Sequence, residues 1–224
     1  PKSKFFWRSV TGDGEFLANG VWFTITEQAA RPSAARPGLI LDRDGVLVKE
    51  VGYLHRPQDV QLLDGAAAFV REANDRQIPI AVITNQAGIS REYFGWPEFF
   101  DTQQELTRQL DALGAIIDTV IACPFHPDHT PDWSTDHAYW RKPGIGMLEL
   151  AAEHLNLNLP ASWLVGDTAS DIGAAISAGM AGAVHVETGH GREHRTKVQT
   201  FVQPGFNLLE MVDIAEARQI FERL

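Results

Sequence analysis

The sequence predicts an α/β protein in which a parallel sheet is covered by helices on both faces. From Leu39 onwards, short apolar runs alternate with longer segments of helical periodicity. The apolar runs are continuous instead of alternating with polar residues, which is typical of strands buried on both faces. Strands separated by helices usually lie parallel, because each helix returns the chain to the same end of the sheet. These observations together predict a Rossmann-like three-layer sandwich.

The predicted elements follow one another in a regular order. Strands are expected at Leu39–Leu41, Ile80–Ile83, Ile116–Ile121, Trp163–Val165 and Ala183–Val186. Helices are expected around Gly65–Arg76, Pro97–Leu113, Ile145–Leu155 and Asp171–Gly179, with a last helix around Leu208–Leu224. The stretch between Lys49 and Pro143 contains no second folded unit beyond these elements. We therefore predict that no large cap domain covers the sheet.

Residues 1–36 are predicted to form an N-terminal arm, followed by a domain of residues 37–224. The segment GEFLANGVWFTI places Asn19-Gly20 between two short apolar runs, and this dipeptide is typical of β-hairpin turns. The segment RPSAARPG, from Arg31 to Gly38, has the composition of a linker. We expect the arm to pack against the main domain and to carry no chemistry.

Composition and charge restrict the class of partner. The formal net charge is −10, which disfavours a nucleic-acid backbone as the ligand but permits a small anion held by a few local donors. The single cysteine, Cys123, excludes an intrachain disulfide and fits a reducing compartment. No apolar run is long enough to span a membrane, and the first residues lack a signal-peptide pattern. We expect a cytoplasmic protein without a membrane partner, and protein partners are left open.

Polar residues follow the predicted strands at the edge of the sheet where such strands end. Asp42 and Asp44 follow the first strand, Thr84 follows the second, and Asp167 follows the fourth. Lys142 precedes the helix that leads into the fourth strand. Ligand sites in open α/β sheets form beyond the carboxyl ends of the strands. We therefore expect these five side chains to lie together.

The residue types at this edge suit phosphoryl transfer. Carboxylates of Asp42, Asp44 and Asp167 would repel one another unless a cation lay among them, and Mg²⁺ prefers oxygen ligands together with a phosphate. Lys142 and the Thr84 hydroxyl could neutralise the oxygens of a transferring phosphoryl group. One carboxylate can act as a nucleophile, and a second can protonate the leaving oxygen. The alternative for the Asp42/Asp44 pair is an ordinary surface turn.

Four motifs resemble those of the haloacid dehalogenase-like phosphohydrolase superfamily, in the same order. They are DRDGV at 42–46, TN at 84–85, RKP at 141–143 and GDTASD at 166–171. The resemblance covers roughly Leu39 to Gly189 and implies that Asp42 is the nucleophile and Asp44 the general acid/base. It also implies that Thr84 and Lys142 stabilise the phosphoryl group. The Asp42 side chain, the Asp44 backbone carbonyl and Asp167 would hold Mg²⁺.

Longer segments resemble the family of D-glycero-D-manno-heptose 1,7-bisphosphate phosphatases, with the histidinol phosphatases as the nearest sister family. The segments are LDRDGVLVKEVGYLHRPQDVQLLDGA, VITNQAGISRE, CPFHPD and RKPGIGML. The resemblance implies Mg²⁺-dependent removal of the 7-phosphate from a phosphorylated sugar. The substrate-binding residues it implies are Glu50, Gly52, Tyr53, Asn85, Gln86, Arg141 and Thr168. The alternatives are a histidinol-phosphate phosphatase and a non-catalytic binding protein with the same fold.

The chain departs from this family at its zinc-binding loop. The family binds zinc through a Cys-Pro-His segment and a Cys-x-Cys, and only Cys123 of those four ligands is present here. The other three positions are occupied by Phe125, Ala138 and Trp140. A tetrahedral structural site needs four ligands, so we predict that zinc is absent and that aromatic packing holds the loop. The alternative is a rebuilt zinc site, in which His126, His129 and His137 bind the metal together with Cys123.

The sequence leaves three further residues or segments open. Asp171 could lie in the second coordination shell of the metal or could cap the helix that begins near it. His185 is expected to be a hydrogen-bonded histidine within a strand. The segment GHGREHR, residues 189–195, is expected to be a solvated loop. Because it follows the fifth strand, the alternative is that it reaches the edge of the sheet and takes part in substrate entry.

Overall fold

The chain folds around one nine-stranded sheet. A computed structural model describes residues 7–9, 14–26 and 34–224, so residues 31–33 of the predicted linker lie outside the described part. The strands are β1 Trp7–Ser9, β2 Glu15–Leu17, β3 Trp22–Ile25, β4 Leu39–Leu41, β5 Ile80–Asn85, β6 Thr119–Cys123, β7 Trp163–Gly166, β8 Gly182–Val186 and β9 Asn207–Met211. Their order across the sheet is β1-β2-β3-β6-β5-β4-β7-β8-β9.

The sheet is mostly parallel, but it is not parallel throughout. Strands β4 to β9 run parallel to their neighbours among themselves, whereas β1, β2 and β3 pair antiparallel at one edge. The predicted parallel sheet is therefore confirmed for β4 to β9, whereas the three strands at one edge run antiparallel. Consecutive strands joined by a short turn must run antiparallel, and β2 and β3 are joined in this way.

The hairpin around Asn19-Gly20 supplies this antiparallel edge. Leu17 and Val21 close the turn through a backbone hydrogen bond of 2.8 Å, and Gly20 has a φ of 95°, which a glycine adopts without strain. The Trp22 ring packs on the Phe99 ring at 5.4 Å between centroids. The hairpin is thus part of the main sheet and core. The division of the chain after residue 36 stays a prediction.

Helices cover both faces of the sheet. They are α1 Ala66–Asp75, α2 Ala87–Ser90, α3 Trp96–Asp111, α4 Thr135–Trp140, α5 Gly146–Leu155, α6 Ala169–Ser177 and α7 Gly191–Gln199. Within β4, Leu39 and Leu41 join the core on one face, and Ile40 joins the core on the other. This alternation is what a central strand shows when both faces are buried.

The third predicted strand, Ile116–Ile121, is found at Thr119–Cys123, and two segments near the C-terminus differ in type from the prediction. The last helix, expected around Leu208–Leu224, is wrong, because β9 occupies its first residues and a 3₁₀ helix follows at Glu216–Arg223. Strand β9 lies at the edge of the sheet, where it pairs with β8. The segment GHGREHR is not a loop, since α7 begins at Gly191. In the described part of the chain, no helix combines the length and the apolar character that crossing a bilayer requires.

Candidate active site

The predicted site residues meet at the carboxyl edge of the parallel strands. Leu41 of β4 lies opposite Val82 of β5 and Val165 of β7, so β4 and β7 end nearly level and β5 runs on to Asn85. The backbone N–H of Asp42 donates to the carbonyl of Val165 at 2.9 Å and ties the first motif to β7. Asp42 and Asp167 consequently leave adjacent strands at the same height, as the strand pattern predicted.

Lys142 is the buried cation of the site. Its side chain is only 2% exposed, and Nζ lies 2.9 Å from Asp42 Oδ1 and 2.7 Å from Asp171 Oδ1. Nζ also donates to the carbonyl of Ile83 at 3.1 Å. Burial alone would lower the pKa of this amine, but the carboxylates of Asp171 and Asp42 outweigh burial and raise it. Lys142 is therefore charged and fixed beside Asp42.

Three carboxylates lie close enough to share a cation. One oxygen each from Asp42, Asp167 and Asp171 lies within 4.8 Å of the others, and all three residues are buried. Burial, followed by the charge of Asp171, raises the pKa of Asp167 from 3.8 to about 7. The pKa of Asp42 is also raised, mainly by burial, against the lowering effect of Lys142. Asp167 Oδ1 is buried and has no hydrogen-bond partner among the described residues.

This set of ligands fits a hard divalent cation. All of the ligand atoms are oxygens, and one of them lacks a partner, which is the environment that Mg²⁺ favours. Asp171 takes one of the two roles that the sequence left open for its position, the helix cap, and its role beside the metal stays a prediction. Its Oδ2 accepts from the Thr168 backbone N–H at 2.9 Å and caps α6, while its Oδ1 faces Lys142.

The pKa shift of Asp167 leads to a prediction about metal binding. Its pKa is raised in the folded protein, so protonation of Asp167 stabilises the metal-free fold, and that contribution is lost as the pH rises from about 4 through about 7. Mg²⁺ needs the deprotonated form. We expect Mg²⁺ affinity to rise about tenfold per pH unit up to pH ~7 and then to level off. Calorimetric titration between pH 5 and 8 measures this, and an affinity independent of pH would contradict it.

The turn formed by residues 188–190 holds Asp167 in place, a role that the sequence did not predict for it. The backbone N–H of His190 donates to Asp167 Oδ2 at 2.7 Å, and Thr188 donates to the carbonyl of Gly45 at 2.5 Å. A Cβ at Gly189 or at Gly45 would overlap the Asp167 carboxylate, and both glycines have a positive φ. In the sequence these residues look like ordinary turn residues, so no signal distinguished them.

Asp44 contacts a different set of side chains from Asp42. Its carboxylate accepts from the Arg43 guanidinium at 3.0 and 3.1 Å and from Gln86 Nε2 at 3.0 Å. Gln86 also donates to the Thr84 hydroxyl at 2.8 Å. The Asp44 side chain remains 18% exposed, so a ligand can reach it. Arg43, buried over the Phe99 ring, is a neighbour that the sequence analysis missed.

Some of the residues implied in substrate binding use their side chains within the protein, and others line an open cavity. Asn85 faces the protein: its side chain makes two hydrogen bonds to the backbone of Lys142, at 3.1 and 3.2 Å. Arg141 donates to the carbonyl of Phe125 at 2.8 Å. Gly52 and Tyr53 line an open cavity of about 240 Å³ formed by the loop after β4, and Glu50 accepts the backbone N–H of Gly52.

The loop that corresponds to the zinc-binding loop of the heptose bisphosphate phosphatases is held by packed aromatic side chains. Phe125 and Trp140 are buried in one face of the core, and Trp133 packs against it. Burial raises the pKa of the Cys123 thiol to about 12, which disfavours the thiolate that zinc requires. The His137 ring packs on the Phe125 ring at 4.4 Å between centroids, and the His126 and His129 rings lie 5.1 Å apart.

The absence of zinc stays a prediction with a direct test. We expect protein purified without added metal to contain far less than one zinc ion per chain, because the buried thiol is held protonated. Elemental analysis of the purified protein measures the content. Stoichiometric zinc that disappears in a Cys123→Ser variant would contradict the prediction and favour the rebuilt site.

Comparisons with known proteins agree with the fold. A HAD-hydrolase-like family model matches residues 139–209. The D-glycero-D-manno-heptose-1,7-bisphosphate 7-phosphatase of Thermosynechococcus vestitus is 41% identical over 160 residues, which cover 70% of this chain and 81% of that protein. The D-glycero-beta-D-manno-heptose-1,7-bisphosphate 7-phosphatase of Escherichia coli K12 is 32% identical over 153 residues, covering 68% of this chain and 80% of that protein.

Solved structures show the same likeness. A HAD-like phosphatase from Mesorhizobium loti has a TM-score of 0.77 and 31% identity, over 96% of this chain and 94% of that one. The D,D-heptose 1,7-bisphosphate phosphatase from B. bronchiseptica, complexed with magnesium and phosphate, has a TM-score of 0.72 and 27% identity. The match covers 84% of this chain and 99% of that one. Fold, site and matches define a haloacid dehalogenase-like phosphoric monoester hydrolase. The chain belongs to the family of D-glycero-D-manno-heptose-1,7-bisphosphate 7-phosphatases.

Proposed function

We propose that the protein removes the 7-phosphate from D-glycero-D-manno-heptose 1,7-bisphosphate through a phospho-aspartate on Asp42. The main support for this mechanism is the position of Lys142, whose Nζ lies between Asp42 and Asp171 in a buried site. The substrate is proposed from the curated relatives, which bear this activity in their names.

In the first step, a carboxylate oxygen of Asp42 attacks phosphorus, and the bond from phosphorus to the sugar oxygen breaks. Asp44 protonates the leaving oxygen, a role that its partial exposure allows. Lys142 and the Thr84 hydroxyl stabilise the negative oxygens of the phosphoryl group. The hydrogen bond from the Arg43 backbone N–H to Asp42 Oδ1, at 2.7 Å, helps to hold the attacking carboxylate.

In the second step, Asp44 accepts a proton from water, which attacks the phospho-aspartate and releases phosphate. Asp42, Asp167 and the backbone carbonyl of Asp44 are proposed to hold Mg²⁺, and Asp171 orients Lys142 from beside them. When bound, Mg²⁺ supplies positive charge against the phosphate oxygens and removes the repulsion among the acids. The buried, unpartnered Oδ1 of Asp167 supports this placement.

Substrate orientation is proposed to come from the loops around the site. Glu50 and Tyr53 on the loop after β4, together with Gln86, are proposed to bond sugar hydroxyls. Arg141 offers a planar guanidinium to a phosphate oxygen. Gly52, Asn85 and Thr168 contribute through backbone position, since Asn85 and Thr168 use their side chains within the protein.

A panel of phosphomonoesters tests the substrate. It contains the heptose 1,7-bisphosphate in both anomers, histidinol phosphate and p-nitrophenyl phosphate, compared by kcat/KM with saturating Mg²⁺. We expect the heptose bisphosphate to have the highest value. A higher value for histidinol phosphate would reject the proposed substrate and retain the mechanism, whereas no turnover of any member would favour the non-catalytic alternative.

A further inference from the structure

Two histidines that the proposed mechanism does not use contact the backbone of the turn after β7. His185 of β8 is fully buried, and its Nε2 donates to the carbonyl of Asp167 at 2.8 Å. His194 of α7 accepts the backbone N–H of Ala169 through Nδ1 at 3.0 Å. Because a carbonyl only accepts and an N–H only donates, Nε2 of His185 carries a proton and Nδ1 of His194 carries none. We call residues 167–169 the acid turn.

The peptide bond that follows Asp167 is held on both sides. His185 binds its carbonyl, and Asp171 Oδ2 accepts its N–H, which belongs to Thr168, at 2.9 Å. The next N–H, that of Ala169, opens α6, and the first four N–H groups of a helix have no partner within the helix. The second histidine satisfies this group. Three side chains therefore fix three consecutive backbone groups of the acid turn.

Packing alone does not account for His185. Its neighbours along β8, Val184 and Val186, are apolar and buried. Nδ1 of His185 is buried and has no hydrogen-bond partner within the described residues. An unpaired polar atom in the interior is destabilising, so an apolar side chain would serve a purely structural role better. What the imidazole adds at this position is the hydrogen bond to Asp167.

Asp167 needs such support because its carboxylate lies among other acids. Asp42 and Asp171 each bring a carboxylate oxygen within 4.8 Å of an oxygen of Asp167. When these acids are charged and no cation is bound, they repel one another, so the backbone must resist this force if the site is to stay formed. A site whose ligands are already in place binds its ion without the free-energy cost of ordering them. A rigid acid turn therefore favours metal binding.

We infer that His185 and His194 are positioning residues, which hold the backbone of the acid turn so that the Asp167 carboxylate is aimed at Mg²⁺. This inference rests on the proposed function, since it takes Asp167 as a ligand of the metal. It extends that function by assigning part of the strength of metal binding to two side chains that touch neither the metal nor the phosphoryl group.

Amide substitutions that replace one ring nitrogen at a time test the inference. In His185→Gln the amide nitrogen lies near the former position of Nε2, and in His194→Asn the amide oxygen lies near the former position of Nδ1. We expect His185→Leu and His194→Leu to weaken Mg²⁺ binding about 10- to 100-fold, the usual effect of losing a partner that orients a metal ligand. His185→Gln and His194→Asn should recover most of this affinity. The exchanged variants, His185→Asn and His194→Gln, should not recover it.

The measurement of metal binding needs no substrate. Calorimetric titration of the metal-free protein with Mg²⁺ is carried out above pH ~7, where Asp167 is deprotonated, and thermal unfolding without metal shows whether each variant is folded. Lys197→Leu, at an exposed position on α7, is the control and should bind Mg²⁺ as the wild type does. In turnover, the Mg²⁺ concentration for half-maximal rate should rise in the weakened variants, while kcat at saturating Mg²⁺ stays close to the wild-type value.

The outcomes separate this inference from the proposed function. Unchanged Mg²⁺ affinity in a leucine variant overturns the inference for that histidine. Equal weakening by glutamine and asparagine at one position also overturns it there, because the loss then follows packing and not the nitrogen that was replaced. If a leucine variant does not fold, the comparison of the two amide variants at that position decides alone. The proposed function is judged separately by the turnover of the wild-type protein on the substrate panel, so either can fail alone.

Discussion

Asparagine in place of Asp42 is expected to abolish turnover while the protein stays folded. The carboxamide keeps the size of the side chain but cannot attack phosphorus, so kcat should fall by roughly 10⁴-fold or more, as for other nucleophile deletions. The Asp42 pKa is raised by burial and by two neighbouring acids, which means that the negative charge is disfavoured without metal. The metal-free variant should therefore unfold at the same temperature as the wild type or a higher one.

The measurement combines kinetics with unfolding. Phosphate release is followed with saturating Mg²⁺, and thermal unfolding is compared with and without the metal. We expect the stabilisation by Mg²⁺ to be reduced in Asp42→Asn, since one ligand oxygen has lost its charge. Asp111→Asn, at an exposed position at the end of α3, is the matched control and should retain both properties. Substantial phosphatase activity in Asp42→Asn would reject the nucleophile assignment.

The central strands could be predicted because they are buried on both faces. Leu39–Leu41 is entirely apolar, and a strand of this kind needs no alternating pattern to be recognised. Once the strands were placed, the rule that sites form at their carboxyl ends brought Asp42, Thr84 and Asp167 together without further information. The site residues that directly follow a strand could thus be predicted from the sequence.

The edges of the sheet were less predictable. Residues 207–211 form an edge strand with one neighbour, and none of its residues is fully buried. Its apolar signal is consequently weak, and it was assigned to a helix. The antiparallel edge depends on how the hairpin docks on β6, a tertiary contact that local sequence does not encode.

Contacts between loops that are distant in the chain also could not be predicted from the sequence. Asp171 was recognised as either a helix cap or a neighbour of the metal; the cap is observed, whereas the ion pair of its other oxygen with Lys142 was not predicted. The supports of Asp167 come from the backbone of His190 and the close approach of Gly189, and backbone groups leave no signature in residue type.

Methionine in place of Lys142 is expected to cost both activity and stability. The side chain is 2% exposed and contacts two buried carboxylates at 2.9 and 2.7 Å. Removing one partner of a buried ion pair leaves the other charge uncompensated, which costs about 3–5 kcal/mol of unfolding free energy. The phosphoryl group also loses a stabilising charge, so kcat should fall by roughly 10²- to 10³-fold.

The pH dependence of this loss distinguishes charge from packing. The pKa of Asp42 is raised, mainly by burial, and its protonation removes the uncompensated charge, so the destabilisation of Lys142→Met should shrink as the pH is lowered. Urea unfolding at several pH values, in the absence of metal, measures it. Lys197→Met, at an exposed position on α7, is the control and should change stability little. A loss that is independent of pH would show that Lys142 acts by filling space, and the electrostatic role assigned to it would then be wrong.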